Sequence, residues 1–166
     1  MAKAVIIIGR AIDEKGSERL GKVISVNISE KKGERKHEVE RIELKLDWGI
    51  VGDAHAGHWH RQISLLAGES IDTMRAMGLH NLTSGAFAEN INTEGVELKT
   101  LPLGTRLKVG ECLLEVTQIG KECHNDGCAI QKATGCCVMP TEGIFAIVMK
   151  GGYVQKGDEI VVCKAE

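Results

Sequence analysis

Four of the six cysteines in this chain, Cys123, Cys128, Cys136 and Cys137, fall within residues 120–140, GKECHNDGCAIQKATGCCVMP, and His124 lies among them. Cys123, His124 and Cys128 offer thiolate and imidazole at a C-x4-C spacing compatible with zinc. Cys136 and Cys137 are adjacent, so their side chains diverge and do not complete a tetrahedral site easily. A disulfide reading conflicts with the reducing compartment expected of a chain without an export signal. A third chemistry is an exposed thiolate. Cys137 precedes VMPTEG, where Pro140 and Gly143 mark a turn, and a loop-borne thiol of lowered pKa is a nucleophile and a soft ligand. The opposing reading is a buried, inert cysteine.

A second histidine-rich stretch is GDAHAGHWHRQ, residues 52–62. On an extended strand His58 and His60 share a face and could ligate one metal. A polar loop leading into a buried strand fits the same residues, with Asp53 and His55 free to orient a polar ligand. The phosphate-loop and nucleophile-elbow patterns are absent, and no glycine triplet stands in a strand–helix context.

The elements that must position these groups are mostly strands. Short β-branched runs separated by glycines appear at 4–8, 21–29, 37–46, 61–67, 105–110, 112–120, 143–149 and 158–163, with a further short strand between the last two. Residues 67–78 place Ile71, Met74 and Met77 at helical spacing for core packing, with Gly78 as the stop. A second short helix is expected around 126–133. This pattern predicts a mainly β fold, a barrel or strongly folded sheet with one or two short helices. Residues 1–19 read as an N-terminal strand or appendage, and 20–166 as one domain.

The chain has 166 residues, a formal net charge of −2 and 3% aromatic residues. A polyanion-binding surface is therefore not expected, nor is one built of stacked aromatics, and no nucleic-acid partner is inferred. The mixed-charge run 29–41 reads as a solvated hairpin or loop. The N-terminal apolar run is too short for a signal peptide, and no stretch reaches the length needed to span a membrane. A cytoplasmic location is the expectation.

The strings GDAHAGHWHRQISLL, FAENINTEGVEL, LPLGTRLKVG, LEVTQIGKECH and CVMPTEGIFAIVMKGG occur in this order. Together they resemble the MOSC domain, named after the C-terminal domain of molybdenum-cofactor sulfurases, in its small stand-alone bacterial form. The resemblance covers about residues 20–166. It implies a β-rich barrel and a link to the molybdenum cofactor, a pterin bearing a dithiolene and a phosphate. The family's cysteine corresponds to Cys137, implying a molybdenum ligand or a persulfide carrier. Cys136 stands where cofactor-holding relatives often place another polar or basic residue.

The resemblance also implies cofactor-binding roles for Asn90, near the pterin, and for Arg61 and Ser64 in the same cleft. Arg61 suits the phosphate. The alternatives are a surface ion pair for Arg61 and turn or cap roles for Asn90 and Ser64. Cys123 and His124 would supply a second thiol or ligate a metal. The implied activities are reduction of N-hydroxylated compounds or sulfur transfer in cofactor maturation. The first needs a separate electron-donor protein and the second a cysteine desulfurase. The rival reading is a non-catalytic cofactor carrier or a zinc-stabilised binding module.

Overall fold

The structure, a computed structural model, describes residues 5–7, 10–12, 18–79, 82–120 and 142–163, with side chains from residue 21 onward. Its strands are β1 (Val5–Ile7), β2 (Arg10–Ile12), β3 (Glu18–Ile28), β4 (His37–Val39), β5 (Arg41–Lys45), β6 (Gly49–Ile50) and β7 (Ile63–Ala67). Helix α1 (Gly68–Ala76) follows. Then come β8 (Ile91–Glu94), β9 (Arg106–Val109), β10 (Cys112–Ile119), β11 (Ile144–Lys150), β12 (Gly152–Gln155) and β13 (Glu159–Cys163).

Seven strands close into a barrel, in the order β3-β13-β9-β10-β11-β7-β8 and back to β3. The pairings are antiparallel except between β7 and β8, which run parallel with α1 in the connection. Closure removes the unpaired edges that a sheet of this size would otherwise expose. The strands β1 and β2 extend antiparallel from β3, and β4 also pairs with β3. A small sheet, β12-β5-β6, completes the fold. The mainly β barrel expected from the sequence is the fold observed.

Alternation explains the barrel wall. In β9, and in β10 as far as Val116, every second residue is buried: Leu107, Val109, Cys112, Leu114 and Val116. The strand β7 is buried on both faces. Its Ile63, Leu65 and Ala67 join the barrel core, while Leu66 joins a second cluster with Ile71, Met74, Ala86, Phe87 and Phe145. Helix α1 covers this outer face, and burying Met74 stabilises it by roughly 1.5–3 kcal/mol. Its stop is Gly78, at φ +105°, a conformation that glycine adopts without steric cost.

Several expectations need correction. Met77 is 50% exposed and does not pack in the core, whereas Ile71 and Met74 do. The run 37–46 divides into β4 and β5, and β6 and β8 are strands that apolar periodicity does not announce. In the mixed-charge run 29–41, Lys36 is buried although most of its neighbours are exposed. The helix expected around 126–133 lies outside the described residues. No helix among the described residues is long and apolar enough to cross a membrane.

Candidate functional site

The parallel junction of β7 and β8 is built from polar side chains. Gly85 (φ +85°) and Ala88 (φ +63°) bend the chain ahead of β8. Asn90 Oδ1 accepts hydrogen bonds from the Ser64 amide (3.0 Å) and hydroxyl (3.2 Å). In return Ser64 Oγ accepts from the Asn90 amide at 3.0 Å. Asn90 Nδ2 donates to the Asn27 carbonyl at 3.1 Å, which ties β3 to the same knot. Both ends of the Asn90 amide are thus engaged, and Asn90 and Ser64 are both buried.

A buried acid stands beside them. Glu89 accepts from the Phe87 amide at 3.2 Å and from Asn92 Nδ2 at 3.0 Å. Asn92 Oδ1 in turn accepts from Ser25 Oγ (2.6 Å) and Asn27 Nδ2 (2.9 Å). Burial pushes the Glu89 carboxyl above its ordinary range, and the hydrogen bonds from Asn92 and the backbone only partly offset this.

Arg61, just ahead of β7, lies on the outer wall. Its guanidinium carbon is 4.7 Å from the centre of the Trp59 ring and 5.7 Å from that of Phe145. Its Nε is buried without a hydrogen-bond acceptor among the described residues. Phe145 pairs across the sheet with both Ser64 and Gln118, so Arg61 sits where β7, β11 and β10 meet. No ion pair to Arg61 appears among the described residues.

The cysteine-rich connection starts from this corner. His60 Nε2 is 2.9 Å from Gln118 Oε1, and the Thr117 hydroxyl donates to the His60 carbonyl. Gln118 Nε2 donates to the Gly120 carbonyl (2.8 Å), and the Gly120 amide donates to Gly143 (2.6 Å), pinning the two stems together. On the returning stem, Glu142 Oε1 accepts from Ser70 Oγ of α1 (3.2 Å) and from Lys99 (3.3 Å). Cys123, His124, Cys128, Cys136 and Cys137 lie outside the described residues, between these stems.

A further polar cluster joins the two charged stretches. Lys36 Nζ donates to Asp53 Oδ1 (2.8 Å) and Ser29 Oγ (3.0 Å), and lies 2.9 Å from His55 Nδ1. Asp53 also accepts the amides of Ser29 and His55, both at 3.1 Å. Trp59 Nε1 donates to the His55 carbonyl at 2.8 Å, linking this cluster to the wall that carries Arg61. Asp53 and His55 are therefore fixed by Lys36, a partner that the sequence left inside a charged run.

The histidine pair has separate partners. His58 is exposed and faces Asp47 at 3.4 Å, whereas His60 faces Gln118. Among the described residues no group of three or more His, Cys, Asp or Glu is arranged to hold a metal ion. Cys112 and Cys163 are free thiols. Burial, aided by Glu111 and Asp158, pushes the Cys112 thiol up to about 11, which suits an inert core residue.

The barrel fold is what this chain shares with the solved structures it resembles. The chain belongs to the MOSC domain family, whose model matches residues 52–161. The YuaD protein from Bacillus subtilis shares the fold at a TM-score of 0.68 and 22% identity, over 88% of this chain and 97% of that one. YiiM from Geobacillus stearothermophilus aligns at a TM-score of 0.63 and 18% identity, over 87% and 75% of the two chains. YiiM from Escherichia coli gives 0.60 and 18%, over 89% and 70%. No curated protein matches the sequence.

Proposed function

We propose that this chain binds the molybdenum cofactor at the outer corner formed by β7, β10 and β11, with Cys137 as the sulfur ligand. One observation supports this most: the Arg61 Nε is buried with no acceptor among the described residues, beside the stems of the segment that carries Cys137. A desolvated donor without a partner is costly, and an anionic ligand would satisfy it. The donors present thus fit the cofactor's phosphate.

Arg61 holds the phosphate, with Trp59 and Phe145 fixing the guanidinium plane. Ser64 lies in the wall beneath, and Asn90 positions it, because both ends of the Asn90 amide are already bonded to protein groups. The Cys137 thiolate supplies a soft ligand. Cys123 and His124 belong to the same connection in the sequence. When bound, the cofactor supplies a metal centre that exchanges two electrons.

The activity proposed is reduction of an N-hydroxylated compound. Two electrons and two protons convert R–NHOH to R–NH2; the N–O bond breaks and oxygen leaves as water. The electrons come from a separate donor protein. Anaerobic assay with a reduced viologen dye and a hydroxylamine substrate tests this. Amine formation by the loaded protein supports the reading. A loaded protein that forms no amine, yet accepts sulfur from a cysteine desulfurase, would assign it to sulfur transfer in cofactor maturation.

A further inference from the structure

The β1–β2 hairpin stands outside the barrel. Seven strands close the ring without it, and it joins the sheet where Ala11 and Ile12 of β2 pair with Arg19 and Glu18 of β3. It precedes the residues that the family model matches, and the cofactor reading gives it no part. Among the described residues β1 pairs with β2 alone, through Val5, Ile6 and Ile7, so one of its two hydrogen-bonding edges has no strand beside it there.

In the same sheet only β4 also has a single partner among the described strands, and the two edges differ in chemistry. The strand β4 lies within RKHEVER, residues 35–41, and charges along an edge are a common protection against a foreign strand. The strand β1 lies within AVIII, residues 4–8, with no charge between Lys3 and Arg10. An uncharged, β-branched edge is a template for another strand. Each chain has one such edge. Two copies meeting edge to edge use both and leave none, whereas a head-to-tail contact would continue into a fibre.

We propose that β1 is a self-association edge, which pairs antiparallel with β1 of a second copy about a two-fold axis and joins two barrels through one continuous sheet. An axis at Ile6 sets Val5 of one protomer opposite Ile7 of its partner. Neither barrel has to open, because β2 stands between β1 and the closed ring. The inference is independent of the cofactor reading, since no residue of that site takes part.

Sedimentation equilibrium of the full chain gives the mass. Twice 18.0 kDa is expected, and a mass of 18.0 kDa at micromolar concentration overturns the inference. Ile6→Lys brings two like charges together at the axis and is expected to raise the dimer dissociation constant at least about tenfold. Leu103→Lys, at an apolar residue 64% exposed elsewhere on the surface, is expected to leave it unchanged. A dimer that survives Ile6→Lys, or one that Leu103→Lys weakens as much, overturns the inference.

Amide hydrogen exchange on the unsubstituted chain, read residue by residue, repeats the test without relying on a variant that folds. In an isolated hairpin alternate residues of β1 direct their N–H groups to β2, and the others direct theirs to the outer edge. Pairing with a second copy protects Val5, Ile6 and Ile7 together. Alternate protection overturns the inference. Protection of all three in a protein of single-chain mass also overturns it, because another segment of the same chain would then cover the edge.

Discussion

The Lys36 ammonium and the Asp53 carboxylate meet at 2.8 Å in the protein interior, with neither side chain exposed to solvent. The contact joins the loop after β3 to the GDAHAG stretch. Removing one partner strands the other charge, which in buried pairs costs about 3–5 kcal/mol. Lys36→Met is therefore expected to lower unfolding stability by that amount, and Lys36→Met with Asp53→Asn to recover part of it. Urea denaturation of the three proteins provides the check. Equal midpoints for the wild type and Lys36→Met would show that the pair contributes nothing to stability.

Glu89 gives the fold a dependence on pH. Its folded pKa lies above the ordinary value of 4.5, because burial disfavours the carboxylate. The unfolded chain therefore ionises first as pH rises, and the folded state is the one that keeps the proton. Glu89's contribution is fully present below pH 4.5 and is lost as pH climbs through the folded value. Between the two, the stability difference between wild type and Glu89→Gln changes by up to about 1.4 kcal/mol per pH unit. Denaturant titrations of both proteins at stepped pH reveal it, and parallel curves would contradict it.

Gly85 cannot carry a side chain. It sits at φ +85°, and a Cβ there would stand 2.2 Å from the Lys36 carbonyl oxygen. Gly33 shares the backbone conformation, at φ +80°, but has open space around it. Gly33→Ala should cost about 1–2 kcal/mol, the left-handed penalty alone, and Gly85→Ala distinctly more. Thermal melts of the two variants decide this. Equal losses would show that the 85–90 turn can move away from Lys36.

Cys112 is expected to be the slow thiol. With its pKa pushed up to about 11, almost none is thiolate near neutral pH. Cys112→Ala should leave the fast phase of labelling by a water-soluble disulfide reagent unchanged at pH 7.5. A fast phase that loses amplitude in this variant would place Cys112 among the reactive thiols.

Arg61→Ala tests the phosphate contact in the intact protein. Loss of a hydrogen bond to a charged group weakens cofactor retention by roughly 1.5–3 kcal/mol. Cofactor release measured by dilution and desalting gives the number. Unchanged retention would leave Arg61 with a packing role against Trp59 and Phe145.

The sequence carried the barrel well where alternation was clean. In β5 and β10 buried and less buried residues take turns, and both strands are legible for that reason. The strand β8 is not, because Asn92 and Thr93 are polar yet buried, and the burial of Asn92 depends on partners in β3. The same limit applies to the site. Ser64 meets Asn90 across 26 residues, and Asn27 meets it across 63. Arg61 rests on Phe145, far along the chain, and no local pattern announces that contact. Lys36 was hidden by its charged neighbours. The ordered motifs identify the family, whereas which atoms are already bonded is visible only in three dimensions.

In the proposed site Cys137 holds molybdenum. Elemental and pterin analysis of the wild type and Cys137→Ser, both purified anaerobically from a cofactor-producing host, measures this. Near-stoichiometric molybdenum with pterin is expected in the wild type, and neither in the variant. Zinc in both proteins, with molybdenum in neither, would contradict it and point to a metal-stabilised binding module built on Cys123, His124 and Cys128.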